Sequence, residues 1–197
     1  MSEDPLIESR RLTAPPQGEF WVFGYGSLMW KPEFPFVKAE AALLRGWHRA
    51  FCVWSVHYRG TVEKPGLVLG LDRGGACRGR AFLVAPQDAA EVANYLHERE
   101  MVTGVYEPRY VTIELASGKK ASAATFLADP HHSQYAGKLE PAKLIRIIRE
   151  GHGSAGSNLD YLRNTVRHLD QLGIADGPLH RVLEQAEKAS GRKDRKR

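Results

Sequence analysis

The chain has 197 residues, 43% of them hydrophobic and 26% charged, enough for a core that needs no disulfide or metal staple. Its formal net charge is +5, and its two cysteines, Cys52 and Cys77, exclude a disulfide scaffold and fit a reducing compartment. No apolar run reaches membrane-spanning length, and the polar opening Met1–Arg11 lacks the apolar stretch of a secretory signal, so a cytoplasmic protein without membrane attachment is expected.

Residues 1–18 hold Pro15-Pro16 and little apolar content, and read as a loose leader. Phe20-Trp21-Val22-Phe23 is aromatic or β-branched throughout, as in a strand covered on both faces. It runs straight into Gly24-Tyr25-Gly26-Ser27-Leu28-Met29. The two glycines let this loop curl and turn its N–H groups to one side, and a curl of bare amides is an anion-binding concavity. It can hold a substrate carboxylate or a developing oxyanion, or it can be a tight turn with no ligand; these residues alone leave both open. Trp30-Lys31-Pro32 and Phe34-Pro35 then break regular structure, because proline removes a donor and fixes φ.

Four short strands are predicted next: Ala39–Leu44 ending at Arg45-Gly46, Arg49–Val56, Leu67–Leu71 closed by Asp72-Arg73-Gly74-Gly75, and Gly79–Ala85. A polar loop, His57 to Gly66, separates the second from the third. Short strands at this spacing predict a barrel or a strongly curled sheet. Pro86-Gln87-Asp88 opens a helix to about Val102. Tyr110–Leu115 and Ala121–Leu127 read as a hairpin about Ser117-Gly118. Pro141–Glu150 is a second helix with Gly151 as its stop. A third is capped by Ser157 or Asn158 and ends at Gly173, and a fourth has Pro178 in its first turn and runs from Leu179 to about Ala189. The basic tail Gly191–Arg197 reads as a disordered, solvated end; nucleic-acid binding is the sharper alternative, but no aromatic residue is interleaved there to stack a base. A mildly basic body also suits a small anionic substrate. The expected architecture is a single α+β domain over residues 19–190, a mixed β-barrel or curled sheet with flanking helices.

Within the first helix, Ala89, Val92, Ala93 and Leu96 share one stripe at about 100° per residue, and the stripe extended by one turn lands on Glu100. Glu91 and Glu98 fall on the opposite side. A carboxylate on an apolar face loses solvation, which raises its pKa toward that of a general acid or base. The other reading is a helix end where the stripe has run out, or a carboxylate neutralised by Arg99; periodicity leaves these open.

Other chemistries find no motif. Gly24-Tyr25-Gly26 lacks the third glycine and the helix of a dinucleotide fingerprint, no Gly-Lys-Ser/Thr triplet is present, and Ser27 lacks the flanking glycines of a nucleophile elbow. The histidines show no metal spacing, and His131-His132 is an adjacent pair in a loop. No metal and no cofactor are expected. Cys52 alternates with aromatic residues as a small core residue does. Tyr161 is either a core aromatic or a hydroxyl presented to a ligand.

Several stretches occur in a family's order and intervals: Val22-Phe23-Gly24-Tyr25-Gly26-Ser27-Leu28-Met29-Trp30, Leu44-Arg45-Gly46-Trp47-His48-Arg49-Ala50-Phe51, Arg59-Gly60 with Lys64-Pro65-Gly66, Tyr95-Leu96 with Arg99-Glu100, and Asn158-Leu159-Asp160-Tyr161-Leu162. From about Phe20 to Gly173 the chain resembles the ChaC family of γ-glutamylcyclotransferases, most closely its bacterial branch. The resemblance implies a mixed barrel with flanking helices and cleavage of glutathione to 5-oxoproline and cysteinylglycine. It puts the substrate loop on Gly24, Tyr25, Gly26, Ser27, Leu28 and Met29 and the catalytic glutamate on Glu100. Arg59 and Tyr161, and also Arg45, are further candidates for holding the peptide. The chain departs from the better-known eukaryotic members at His57-Tyr58-Arg59-Gly60, where they read Asp-His-Arg-Gly, in a loop that bears on substrate choice. The expected partner is a small molecule, with no nucleic acid or membrane, in a monomer or homodimer. Two rival functions stand beside this one: cyclotransfer on other γ-glutamyl amines or amino acids, and a non-catalytic module that binds an anion or nucleic acid.

Overall fold

The computed structural model describes residues 9–15 and 18–194, with side chains through Lys188. Five strands close a barrel in the order β1-β3-β2-β4-β5. They are β1 (Phe20–Gly24), β2 (Lys38–Ser55), β3 (Gly66–Val84), β4 (Tyr106–Leu115) and β5 (Lys120–Ala128). β1 lies antiparallel to β3, with Phe20 opposite Val84, and parallel to β5, with Trp21 opposite Ala123. The expected hairpin about Gly118 is β4–β5, with Val111 opposite Ala123. The helices are α1 (Ala89–Glu100), α2 (Pro141–Glu150), α3 (Asn158–Gln171) and α4 (Gly177–Asp194), and a small ribbon joins β6 (His152–Gly153) to β7 (Gly156–Ser157).

The four short strands of the sequence reading are two long ones. Gly46, at φ +83°, lies inside β2, and Gly74 and Gly75, at +95° and +68°, lie inside β3. These are left-handed conformations that glycine reaches without strain, so the strands continue where they were expected to end. A 3.0 Å hydrogen bond from His48 Nδ1 to the Gly74 carbonyl joins β2 to β3 there.

The chain gathers into two compact units, one comprising residues through Arg49 with Gly70–Tyr135, the other Ala50–Leu69 with the residues from Ala136 onward. In the first, β1 is buried along its whole length, and its alternation feeds two cores. Trp21 and Phe23 join Ala42, Leu44, Leu71, Ala81, Ile113, Leu115 and Ala123, drawn from all five strands, in the barrel interior. Phe20 and Val22 join Phe82, Phe126 and the α1 residues Val92, Ala93 and Leu96 on the outside. That second core docks α1 across the barrel wall. In the second unit α2, α3 and α4 pack on one another through Ile148, Leu162, Leu169 and Ala186.

Other expectations are refined. α1 ends at Glu100, capped by the Met101 N–H on the His97 carbonyl, rather than at Val102. Ser157, not Asn158, caps α3, accepting from the Asp160 N–H at 3.0 Å. Asn158 is fully buried and bonds the Leu67 backbone in both directions at 2.7 Å. Gly151 stops α2 as expected, in extended backbone at φ −66° and ψ 128°. α4 runs to Asp194, so the tail expected to be disordered from Gly191 begins as helix; residues 195–197 lie outside the described residues. Part of the expected loose leader is docked: Leu12 is buried in the α1-side core, Arg10 pairs with Asp129 at 2.9 Å, and the Tyr110 hydroxyl donates to the Thr13 carbonyl at 2.7 Å. Residues 1–8, 16 and 17 lie outside the described residues.

Candidate active site

β1 ends at Gly24, where the chain must fold back sharply: a Cβ there would stand 3.1 Å from the Leu28 Cβ. A single 3-10 turn, Ser27–Met29, follows, closed by the Met29 N–H on the Gly26 carbonyl at 2.9 Å. Tyr25, Leu28 and Met29 are buried, whereas Gly26 and Ser27 are half-exposed. The side chains of Leu28 and Met29 therefore serve the core, and what this loop offers a ligand is main chain together with the Ser27 hydroxyl.

Guanidinium groups fix the loop. Arg49 on β2 is 4% exposed. Its Nε donates to the Tyr25 carbonyl, its Nη2 donates to the Arg78 carbonyl at 2.7 Å, and the same Nη2 lies 3.8 Å from the Met29 sulfur. Arg80 on β3 donates to the Met29 carbonyl at 3.3 Å. Arg99 of α1 donates from Nη2 to the Ser27 hydroxyl at 3.1 Å, and from Nη1 to the Lys31 carbonyl at 2.8 Å and the Tyr95 hydroxyl at 2.8 Å. Burying so many N–H donors is tolerable because each meets an acceptor of the loop or its flanks. Sequence reasoning missed Arg49 and Arg80. An arginine on a strand reads as a solvated face, and only the closure of the barrel puts these two under the loop.

Glu100 belongs to the same unit. Its side chain is 19% exposed, and its Oε1 stands 3.2 Å from Arg99 Nε. Burial pushes the Glu100 carboxyl above the ordinary carboxylate range, with Arg99 opposing that rise. The stripe on α1 therefore does carry its carboxylate inward. His97, one turn earlier, is also buried, and its Nδ1 has no hydrogen-bond partner among the described residues. Glu19 makes the contrast. It lines a recess of about 580 Å³ with Trp21, Tyr110 and Lys120, and hydrogen bonds from Lys119 and Trp21 hold its carboxyl below the usual range. A carboxylate so stabilised in its charged form is a poor base.

The structure brings Arg59 and Tyr161 together in the second unit. The Arg59 guanidinium lies 5.1 Å from the centroid of the Tyr161 ring and donates to the Ala155 carbonyl. The loop carrying Arg59 passes so close to its neighbours that a Cβ on Gly66 would lie 2.1 Å from the Arg59 carbonyl oxygen, and one on Gly153 2.4 Å from that of His57. Arg45 is 71% exposed and pairs with Glu114 at 3.5 Å, as a solvated surface residue does. Cys52 and Cys77 are buried, as core residues are. No cluster of three potential metal ligands is found among the described residues.

A family model for ChaC-like proteins matches residues 20–189. The chain belongs to the ChaC family. Among ChaC relatives it is 35% identical over 174 residues to a glutathione-specific gamma-glutamylcyclotransferase of Escherichia coli, covering 88% of this chain and 75% of that protein. It is 32% identical over 165 residues to human glutathione-specific gamma-glutamylcyclotransferase 1, covering 82% and 74%. The fold is that of a yeast gamma-glutamyl cyclotransferase specific to glutathione, whose crystal structure superposes with a TM-score of 0.78 at 24% identity over 87% of this chain and 97% of that one. The ChaC match spans both compact units, from β1 into α4.

Proposed function

We propose that this chain is a γ-glutamylcyclotransferase that degrades glutathione, with Glu100 as its general base. The observation that carries the reading is the Glu100 carboxyl, 19% exposed, raised above its ordinary range by burial and linked through Arg99 to the Ser27 hydroxyl of the curl that follows β1. ChaC membership and the names of the relatives support the substrate.

The chemistry needs no outside nucleophile. The α-amine of the γ-glutamyl group attacks its own γ-amide carbonyl, closing a five-membered ring and releasing cysteinylglycine with 5-oxoproline. Folding the substrate so that amine and carbonyl meet lowers the barrier by roughly 7–11 kcal/mol. The attacking amine must shed a proton, because an ammonium has no lone pair. Glu100 takes it and returns it to the departing amide nitrogen. A carboxyl whose pKa has been lifted by burial suits both halves of that transfer. Main-chain donors within the Gly24 to Met29 loop, other than the Met29 N–H that closes its turn, hold the substrate's α-carboxylate or the oxyanion together with the Ser27 hydroxyl. The family resemblance makes Arg59, whose guanidinium lies 5.1 Å from the centroid of the Tyr161 ring, a candidate for holding the rest of the peptide.

The test is release of 5-oxoproline from glutathione by the full chain. Glu100→Gln keeps the shape of the side chain and removes the base; turnover falls by at least about 100-fold while substrate still binds. Near-normal 5-oxoproline release by that variant removes Glu100 from the mechanism. A panel of γ-glutamyl amines and amino acids run beside glutathione reads the specificity set by His57-Tyr58-Arg59-Gly60.

A further inference from the structure

Arg99 connects two features that the cyclotransferase reading uses separately. Its Nε faces Glu100 Oε1 at 3.2 Å while its Nη2 donates to the Ser27 hydroxyl at 3.1 Å. Nη1 is taken by the carbonyls of Lys31 at 2.8 Å and Pro32 at 3.1 Å and by the Tyr95 hydroxyl at 2.8 Å. A planar guanidinium anchored through both Nη1 and Nη2 is fixed in orientation, so its Nε offers Glu100 Oε1 a donor in a fixed place. The chain beyond the loop is shaped to receive it. Glu33, the next acceptor of Nη1 at 3.5 Å, is a non-glycine residue at φ +58°, a conformation that costs free energy and is kept where the surroundings demand it.

We propose that Arg99 is a positioning residue that locks Glu100 against the glycine loop, engaging Oε1 so that Oε2 is the oxygen that exchanges the proton. It acts through Glu100 and does not touch substrate. The proposal rests on the cyclotransferase reading. The charged and titratable groups on the surrounding elements are Lys31 and Glu33, paired with each other at 3.1 Å, Arg80 on β3, and Tyr95 and His97 on α1. Among the described residues the ion pair to Glu100 itself comes from Arg99.

The experiment compares wild type, Arg99→Lys, Arg99→Met and Glu100→Gln, following kcat and KM for glutathione against pH and checking each fold by thermal melting. For Arg99→Met the acid limb of kcat/KM moves up by about 1 pH unit, as expected when a carboxylate loses its cation. On the plateau kcat falls about 10- to 100-fold, the size of a misplaced catalytic group. Arg99→Lys keeps the charge but cannot span Glu100 and Ser27, so its acid limb stays near that of wild type while its kcat remains low. A folded Arg99→Met enzyme with the wild-type limb and plateau overturns the proposal, as does an Arg99→Lys enzyme with full kcat. If Arg99→Met does not fold, the kcat of Arg99→Lys decides. An inactive Glu100→Gln beside unaffected Arg99 variants sinks only the positioning role, whereas an active Glu100→Gln sinks the general-base reading as well.

Discussion

Glu100 stands at the end of a helix whose other inward residues, Val92, Ala93 and Leu96, are almost wholly buried and apolar. Its carboxyl is therefore easier to keep protonated in the folded chain than in the unfolded one. A group whose folded pKa is raised stabilises the fold below its unfolded pKa, and that contribution is lost as pH rises through the folded value. With Glu100 as the proposed base, catalysis at neutral pH would use a group that weakens the fold there. Glu100→Gln should melt higher than wild type at pH 7–8, with the gap closing as pH falls toward 4. Differential scanning calorimetry across that range checks it; a gap that widens on acidification contradicts the sign. The position of Glu100 was legible because a helix of fixed period carries its stripe forward. The Arg99 contacts were not, because Ser27, Lys31 and Pro32 lie about 70 residues earlier and only the packing of α1 on β1 and β3 brings them within reach.

At the scale of elements, the loop after β1 is built by the strands beneath it. Glycine content alone marked Gly24 to Met29 as a curl, and the curl is present, but its shape is held by Arg49 and Arg80 on β2 and β3. Nothing local in sequence identifies those arginines, since β2 and β3 look like four strands until Gly46, Gly74 and Gly75 are seen to bend rather than end them. Arg49→Met leaves the buried carbonyl of Tyr25 and the part-buried one of Arg78 without these donors, which costs about 1–3 kcal/mol of stability. If the curl holds substrate while Glu100 is the base, as proposed, the same variant should raise KM for glutathione several-fold and leave the acid limb of kcat/KM where it is. Urea denaturation and steady-state kinetics read the two effects separately. An unchanged KM in a destabilised but folded protein would assign Arg49 to structure alone.

At the scale of the whole molecule, the barrel was legible because strand residues recur at short intervals through the first half of the chain, and a sheet that long and twisted closes on itself. Charge was the weaker guide. Arg192, Lys193, Arg195, Lys196 and Arg197 against Asp194 place four of the +5 formal charges in the last seven residues, so the rest of the chain is nearly neutral. Attraction of an anionic peptide would then fall to individual guanidinium groups, with Arg59 the proposed one, whose field is short-ranged in salt, rather than to a basic body. The prediction separates the two charge systems. Deleting residues 191–197 should leave kcat/KM for glutathione within about two-fold, since long-range steering governs rate only where net charge is large. The same deletion should sharply reduce retention on a polyanion such as heparin, where each removed cation takes its released counterion with it. Arg59→Ala should do the reverse, raising KM while elution from heparin stays close to wild type. If truncation instead lowers kcat/KM ten-fold, and salt mimics the loss in the full chain, the tail is part of how substrate is gathered and the neutral-body account fails.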